Sequence, residues 1–147
     1  MTVRVAGPPP IRSLPAFDRA LLQARARTLL RVLGHGEAEL SISLVGDEEM
    51  AGLNQRFRAE AGPTDVLSFS LLEGDHAEFH GDLLGEVVID VEVAARQAST
   101  IGHGLDAEMT RLLIHGTLHL LGYDHQGEEE TRAMEATEDS LWTVVVA

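Results

Sequence analysis

The chain has 147 residues, 44% of them hydrophobic, and a formal net charge of −13. This length suits one folded domain with a real core, and the composition excludes a mainly disordered chain. There is no cysteine, which excludes disulfides and thiolate metal sites, so a transition-metal site would need His, Asp or Glu ligands. No apolar stretch is long enough to span a membrane, and no signal peptide is apparent. We therefore expect a cytoplasmic protein without a membrane partner.

Basic charge is concentrated in the first quarter of the chain. All eleven basic residues are Arg, and residues 1–36 carry six of them against a single Asp. An acidic chain binds nucleic acid poorly in bulk, so any such binding would need a local patch of positive charge. The Arg-rich segment is the only large candidate; on charge alone, a solvated helix face is the favoured interpretation.

The predicted elements alternate between strands and helices along the chain. Apolar periodicity and turn residues predict strands at 2–6, 38–45, 64–72 and 84–90. Helices are predicted from about Leu14 to Leu33, from an N-cap at Asp47 to about Phe57, from about 91 to 101, from an N-cap at Asp106 to Leu121, and over about 127–143. This order predicts an α+β fold in which helices cover a small mixed sheet of about four strands, with residues 1–147 forming a single domain.

The stretch HGTLHLLGYDH, residues 115–125, places three histidines around a glycine. His115 and His119 are one helical turn apart on nearly one face, about 6 Å along the axis. Gly122 can end the helix in a left-handed conformation and bring His125 round as a third ligand. Three neutral His around zinc leave a position for water, whose pKa falls to about 7. The motif therefore predicts a catalytic metal site on this helix.

The motif has two other interpretations. His115 and His119 could be hydrogen-bonded core residues of an apolar helix, but three histidines at this spacing argue against that. The spacing also matches zinc proteases of the metzincin type, which carry a Glu general base directly after the first His. Gly116 occupies that position here. The sequence therefore favours a metal hydrolase and argues against a protease of that type.

Four further segments accompany the histidine motif in a recognisable order. They are LNQRFRAEAGPTDVLSF (53–69), LLGEVVID (83–90), ARQASTIGHGLDAEMTRLLIHG (95–116) and MEATEDSLW (134–142). From about residue 38 to 142 the chain resembles the YbeY family, bacterial metal-dependent single-strand endoribonucleases implicated in ribosomal RNA maturation. It departs from the family pattern at Ser70, where many members have Pro, and at Glu86, where many have Asp. The first 37 residues match only in general character, which leaves a phosphate-binding role for Arg25, Arg27 or Arg31 without support.

The resemblance implies a function and a set of site residues. It implies that His115, His119 and His125 bind one metal ion, usually zinc, and that Arg58 is needed for activity. We therefore predict a zinc-dependent endoribonuclease with Arg58 and His115 as catalytic residues, acting in 16S rRNA 3′ end processing and ribosome quality control. The implied partners are single-stranded and ribosomal RNA, proteins of the small ribosomal subunit and an Era-like GTPase.

Alternatives remain open for both function and mechanism. The chain could be a ribosome assembly factor with a structural metal site, or a general metallohydrolase of small phosphoesters. The nucleophile could be metal-bound water or the 2′-hydroxyl of the RNA.

Several other polar residues are assigned to structure rather than to the site. Asp124 is interpreted as holding a turn, and Glu86 and Asp90 as solvated acids rather than acceptors behind a metal ligand. His76 and His80 are expected to be exposed in a loop instead of forming a second metal site. His35 is expected at a helix terminus and His103 in a turn before the Asp106 cap.

Overall fold

The computed structural model describes residues 2–71, 83–123 and 127–147. Its strands are β1 (Thr2–Ala6), β2 (Glu39–Val45), β3 (Val66–Ser70) and β4 (Leu83–Asp90). Its helices are α1 (Arg19–Val32), α2 (Asp47–Arg58), α3 (Val91–Ile101), α4 (Leu105–Leu120) and α5 (Glu128–Val146). None of the described helices is both long and apolar enough to cross a membrane.

The four strands form one mixed sheet in the order β1-β2-β4-β3. The pairs β1/β2 and β2/β4 are parallel, whereas β3 runs antiparallel to β4, with Leu67 opposite Val88. The predicted α+β fold with a small mixed sheet is confirmed. Strand β3 lies at one edge of this sheet, next to the helix that carries the histidine motif.

Apolar side chains on the two faces of the sheet belong to two separate clusters. Alternation along β4 sends Val87 and Ile89 into the larger cluster and Val88 into the smaller one, as the two-residue period of a strand requires. The larger cluster includes buried residues of α1, α4 and α5, and the smaller one includes Met50 of α2. Helix α2 therefore covers the opposite face of the sheet from α4.

Three predicted helix starts differ from the structure. Helix α1 begins at Arg19 instead of Leu14, because Asp18 caps it by accepting a hydrogen bond from the Leu21 N–H at 3.1 Å. Glycines take the other two cap positions, Gly46 for α2 and Gly104 for α4. The predicted caps Asp47 and Asp106 lie instead within the first helical turn, where a negative charge also favours the helix dipole.

The Arg-rich helix has the predicted basic outer side, with one exception. Arg19, Arg27 and Arg31 are exposed, whereas Arg25 is half-buried and donates a hydrogen bond to Thr110 Oγ1 of α4 at 2.9 Å. Arg25 therefore fastens α1 to the helix that carries the histidine motif.

Candidate active site

Helix α4 brings the first two histidines of the motif together. The Nε2 atoms of His115 and His119 are 3.1 Å apart, and the ring planes meet at 70°. Tetrahedral zinc with nitrogen ligands at about 2.0–2.1 Å needs neighbouring ligand nitrogens roughly 3.3 Å apart, so this pair fits one ion. His125 lies outside the described residues, as do Asp124, His76 and His80.

A carboxylate of α5 contacts the far side of the first imidazole. Glu138 Oε1 is 2.7 Å from His115 Nδ1. Sequence reasoning missed Glu138 as a site residue, although it lies within the MEATEDSLW segment that carries part of the resemblance. Its membership of that segment could have pointed to Glu138. A separation of 23 residues from His115, however, does not by itself predict a contact.

Arg58 and the two histidines line the same cavity, which has a volume of about 460 Å³. Its other lining residues are Thr64, Asp65, Val66, Leu67, Ser68, Ser70 and Leu120. The Arg58 guanidinium lies 3.5 Å from the Glu60 carboxylate, and its side chain is 48% exposed. The structure thus brings three of the four predicted site residues to one cavity between the end of α2, strand β3 and helix α4.

Strand β3 is attached to α4 by two serine hydroxyls. Ser68 Oγ donates to the Gly116 carbonyl at 2.7 Å, and Ser70 Oγ donates to the Leu120 carbonyl at 3.3 Å. Each of these carbonyls belongs to the residue that follows one of the two histidines. The hydrogen bonds therefore fix α4 against the wall of the cavity beside both imidazoles.

Gly116 allows α4 to lie close to the sheet. A Cβ at this position would be 2.8 Å from Val87 Cγ1 and 3.0 Å from Val66 Cγ2. Both neighbours are β-branched and have few rotamers to move into. Gly116 therefore lies where the helix contacts the sheet. Gly116 is also the position at which metzincins carry their Glu general base, and here that position has no room for a Glu side chain.

We expect Gly116→Ala to lower the free energy of unfolding by about 1–3 kcal/mol, because overpacking against the sheet outweighs the better helix propensity of Ala. Urea denaturation of the metal-free protein measures this change. Gly52→Ala in α2 is the matched control, since a Cβ there has no neighbour within 4 Å. We expect that variant to be equally stable or more stable, and equal stability of both variants would contradict the close packing of Gly116.

A group of three acids lies where α2 and α3 begin. Carboxylate oxygens of Asp47, Asp90 and Glu92 lie within 4.8 Å of one another. Asp90 is fully buried and caps α3, accepting hydrogen bonds from the Glu92 and Val93 N–H groups at 2.9 and 3.2 Å. The expectation that Asp90 is solvated was wrong, because this strand end is covered by two helix starts. Glu86 is half-buried as well, in the wall of a second cavity.

The buried carboxyl of Asp90 has a raised pKa. Burial raises its pKa to about 7, and the neighbouring carboxylate of Asp47 adds to this effect. The pKa of Asp47 is lowered instead, first by its hydrogen bonds with Arg96 at 2.9 and 3.0 Å. Among the described residues, Asp90 Oδ2 has no hydrogen-bond donor. This oxygen is therefore placed to carry the proton below about pH 7.

Comparison with known proteins identifies the family. The sequence model of the family described as Endoribonuclease YbeY matches residues 16–145. The chain belongs to the YbeY family. This match begins in the segment before α1, well ahead of residue 38, so the resemblance extends further towards the N-terminus than the motifs indicated. The predicted family and its endoribonuclease class are confirmed.

Individual relatives support this YbeY assignment. The Endoribonuclease YbeY of Pelotomaculum thermopropionicum is 45% identical over 132 residues, covering 86% of this chain and 87% of the relative. That of Anaeromyxobacter sp. is 44% identical, covering 96% and 70% of the two chains. The solution structure of TM1509 from Thermotoga maritima matches with a TM-score of 0.64 and 27% identity, over 97% of this chain and 88% of that one.

Proposed function

We propose that this YbeY protein is a metal-dependent endoribonuclease that cleaves single-stranded RNA, with His115, His119 and His125 as ligands of one zinc ion. The supporting observation is that the Nε2 atoms of His115 and His119 lie 3.1 Å apart in the wall of a cavity that Arg58 also lines. Neutral imidazoles are suitable zinc ligands, and a three-His set leaves a position for water or substrate. When bound, zinc would supply a Lewis acid and lower the pKa of bound water.

Arg58 is proposed to bind the phosphodiester that is cleaved. A guanidinium forms two parallel hydrogen bonds to phosphate oxygens and can stabilise the charge that develops during cleavage. Its partner in the described residues, Glu60, is a surface carboxylate at 3.5 Å, and ion pairs of this kind are weak. A phosphate entering the cavity can therefore replace Glu60 at little energetic cost. In this proposal His115 acts as a ligand that positions the ion beside the phosphate.

The remaining parts of the proposal concern substrate and partners. We propose 16S rRNA near its 3′ end as the substrate, in the cytoplasm, with small-subunit proteins and an Era-like GTPase as partners. The net charge of −13 is suited to meeting basic ribosomal proteins through complementary charge. We also propose that the chain acts as one catalytic domain, since its larger apolar cluster includes residues from Val3 to Val145.

Cleavage of an end-labelled single-stranded RNA tests the activity directly. We expect cleavage by the purified protein to stop after treatment with a chelator and to return when zinc is added. A 5′-phosphate on the downstream product would indicate metal-bound water as the nucleophile, and a 2′,3′-cyclic phosphate on the upstream product the RNA 2′-hydroxyl. The same RNA annealed to its complement should resist cleavage. Cleavage that persists unchanged in the chelated protein would contradict the proposal.

We expect Arg58→Lys to reduce RNA cleavage about tenfold, the equivalent of one charge-assisted hydrogen bond, because Lys keeps the charge but loses the planar fork. Initial cleavage rates at saturating zinc measure the effect. Arg56→Lys is the matched control, since Arg56 lies on the same helix but does not line the cavity. A rate for the Arg58 variant equal to that of the control would exclude bidentate phosphate binding by Arg58.

A further inference from the structure

The structure assigns a positioning role to Glu138: it holds the His115 ring in one orientation and one tautomer, and so sets the metal affinity of the histidine site. This inference rests on the proposed function for the metal, while the contact itself is a feature of the fold. It concerns a residue of α5, far along the sequence from the histidine motif.

The contact defines which nitrogen of His115 carries the proton. Glu138 Oε1 lies 2.7 Å from His115 Nδ1, and an ionised carboxylate can only accept a hydrogen bond. Nδ1 of the neutral ring must then carry the hydrogen, which leaves the lone pair on Nε2. That Nε2 is the atom 3.1 Å from His119 Nε2. The ligand atom of His115 therefore points to its neighbour before any ion is present.

The surroundings make this hydrogen bond stronger than a surface contact. The side chains of His115 and Glu138 are only 29% and 20% exposed, so solvent screens the pair incompletely. A carboxylate behind a metal-binding imidazole raises the basicity of the ring and fixes its direction. Both effects favour metal binding, which gives Glu138 a role beyond joining two helices.

Glu138 is in turn part of a charged group behind the site. It lines a cavity of about 320 Å³ together with Arg111 and His103. The pKa of Arg111 is raised mainly by its hydrogen bond to Glu108, and the charges of Asp65 and Glu138 contribute to the same increase. Arg111 is itself held by an ion pair with Glu108, a carboxylate that is fully buried. Glu138 therefore shares this cavity with a positively charged side chain whose own position is fixed.

Zinc affinity and the His115 tautomer together test the role. We expect Glu138→Ala to weaken zinc binding about 10–100-fold in competition with a chromophoric chelator. Glu138→Gln keeps an acceptor but loses the charge, so it should weaken binding by a smaller factor. Glu135→Gln, an exposed position on the same helix, is the matched control and should bind zinc like the parent protein. In ¹⁵N spectra of the metal-free proteins at pH 8, His115 should be the Nδ1–H tautomer in the parent and lose that preference in Glu138→Ala.

The possible results separate the two proposals. Parent-like zinc affinity in Glu138→Ala, with the Nδ1–H tautomer retained, would overturn the role of Glu138. If the parent protein itself binds no zinc, the proposed metal function fails, whereas the tautomer change still reports on the contact between Glu138 and His115. If Glu138→Ala does not fold, Glu138→Gln decides, because parent-like affinity in that variant would show that the charge has no effect on the site.

Discussion

Replacing His119 by Ala is expected to abolish zinc binding and to reduce RNA cleavage by at least about a thousandfold, while the fold remains intact. The variant removes one of two nitrogen atoms that lie 3.1 Å apart, and the remaining histidines would bind the ion too weakly to keep it through purification. Alanine is a good helix former, and His119 lies near the end of α4, so the helix itself should persist. Metal content, circular dichroism and cleavage are measured on the same preparation.

The control for this variant is His35→Ala, prepared in parallel. His35 follows the end of α1, and its N–H donates to the Leu30 carbonyl at 2.8 Å, a contact that Ala preserves. Equal cleavage by both preparations would identify a contaminating ribonuclease. If His119→Ala loses its metal and unfolds, the ion belongs to the structure, and the assembly-factor alternative gains support.

Asp90→Asn is expected to make the protein more stable at pH 8 and to flatten its pH dependence. The pKa of Asp90 is about 7 in the folded chain and has the usual aspartate value of 3.8 in the unfolded chain, so between these values Asp90 is mainly protonated when folded and ionised when unfolded. The unfolded state then binds fewer protons at this group, so the contribution of Asp90 to the free energy of unfolding is fully present below about pH 4 and is lost as the pH rises to about 7. Over pH 5 to 8 the loss is on the order of 2–3 kcal/mol.

Asparagine reproduces the protonated acid at this position. Its Oδ1 can still cap α3, and its amide N–H can donate to Asp47 as the carboxyl proton would. Urea denaturation at pH 5 and pH 8 measures the effect, and the difference between parent and variant cancels the other titrating groups. Asp139→Asn, an exposed position on α5, corrects for the loss of one charge. A lower stability of Asp90→Asn than of the parent protein at pH 8 would contradict the destabilising effect expected of the ionised Asp90 carboxylate.

Local patterns in the sequence predicted most of the secondary structure. The four-residue spacing of His115 and His119 needs only an α-helix to bring the rings together, so it could be read without tertiary information. The first residues of helices were less predictable. Gly46 and Gly104 provide caps without a side-chain acceptor. Because Asp47 and Asp106 follow shortly after and are of a common cap type, the predicted helices began too late.

Long-range contacts account for what the sequence did not reveal. Glu138 meets His115 only because α5 packs beside α4, and no local pattern encodes that pairing. Asp90 lies at the end of a strand, where acids are usually solvated. Here the starts of α2 and α3 cover it. Arg58 was predicted as a site residue only from the family resemblance, since an arginine at a helix end is usually solvated. Its place in the cavity depends on the path of the chain from α2 to the edge strand.

The two serine hydrogen bonds between β3 and α4 support one wall of the cavity, the wall that carries the two histidines. Their acceptors are the carbonyls of Gly116 and Leu120, which follow the two histidines, so the proposed metal ligands lie on a helix that is attached to the edge strand. Arg58 belongs to the last turn of α2, is nearly half exposed and has a surface carboxylate as its partner. If the proposed function is right, the Arg58 side of the cavity would adjust to the backbone of the RNA that enters, while the proposed metal ligands would keep their spacing. We therefore expect the proposed site to accept single-stranded RNAs of different backbone conformation.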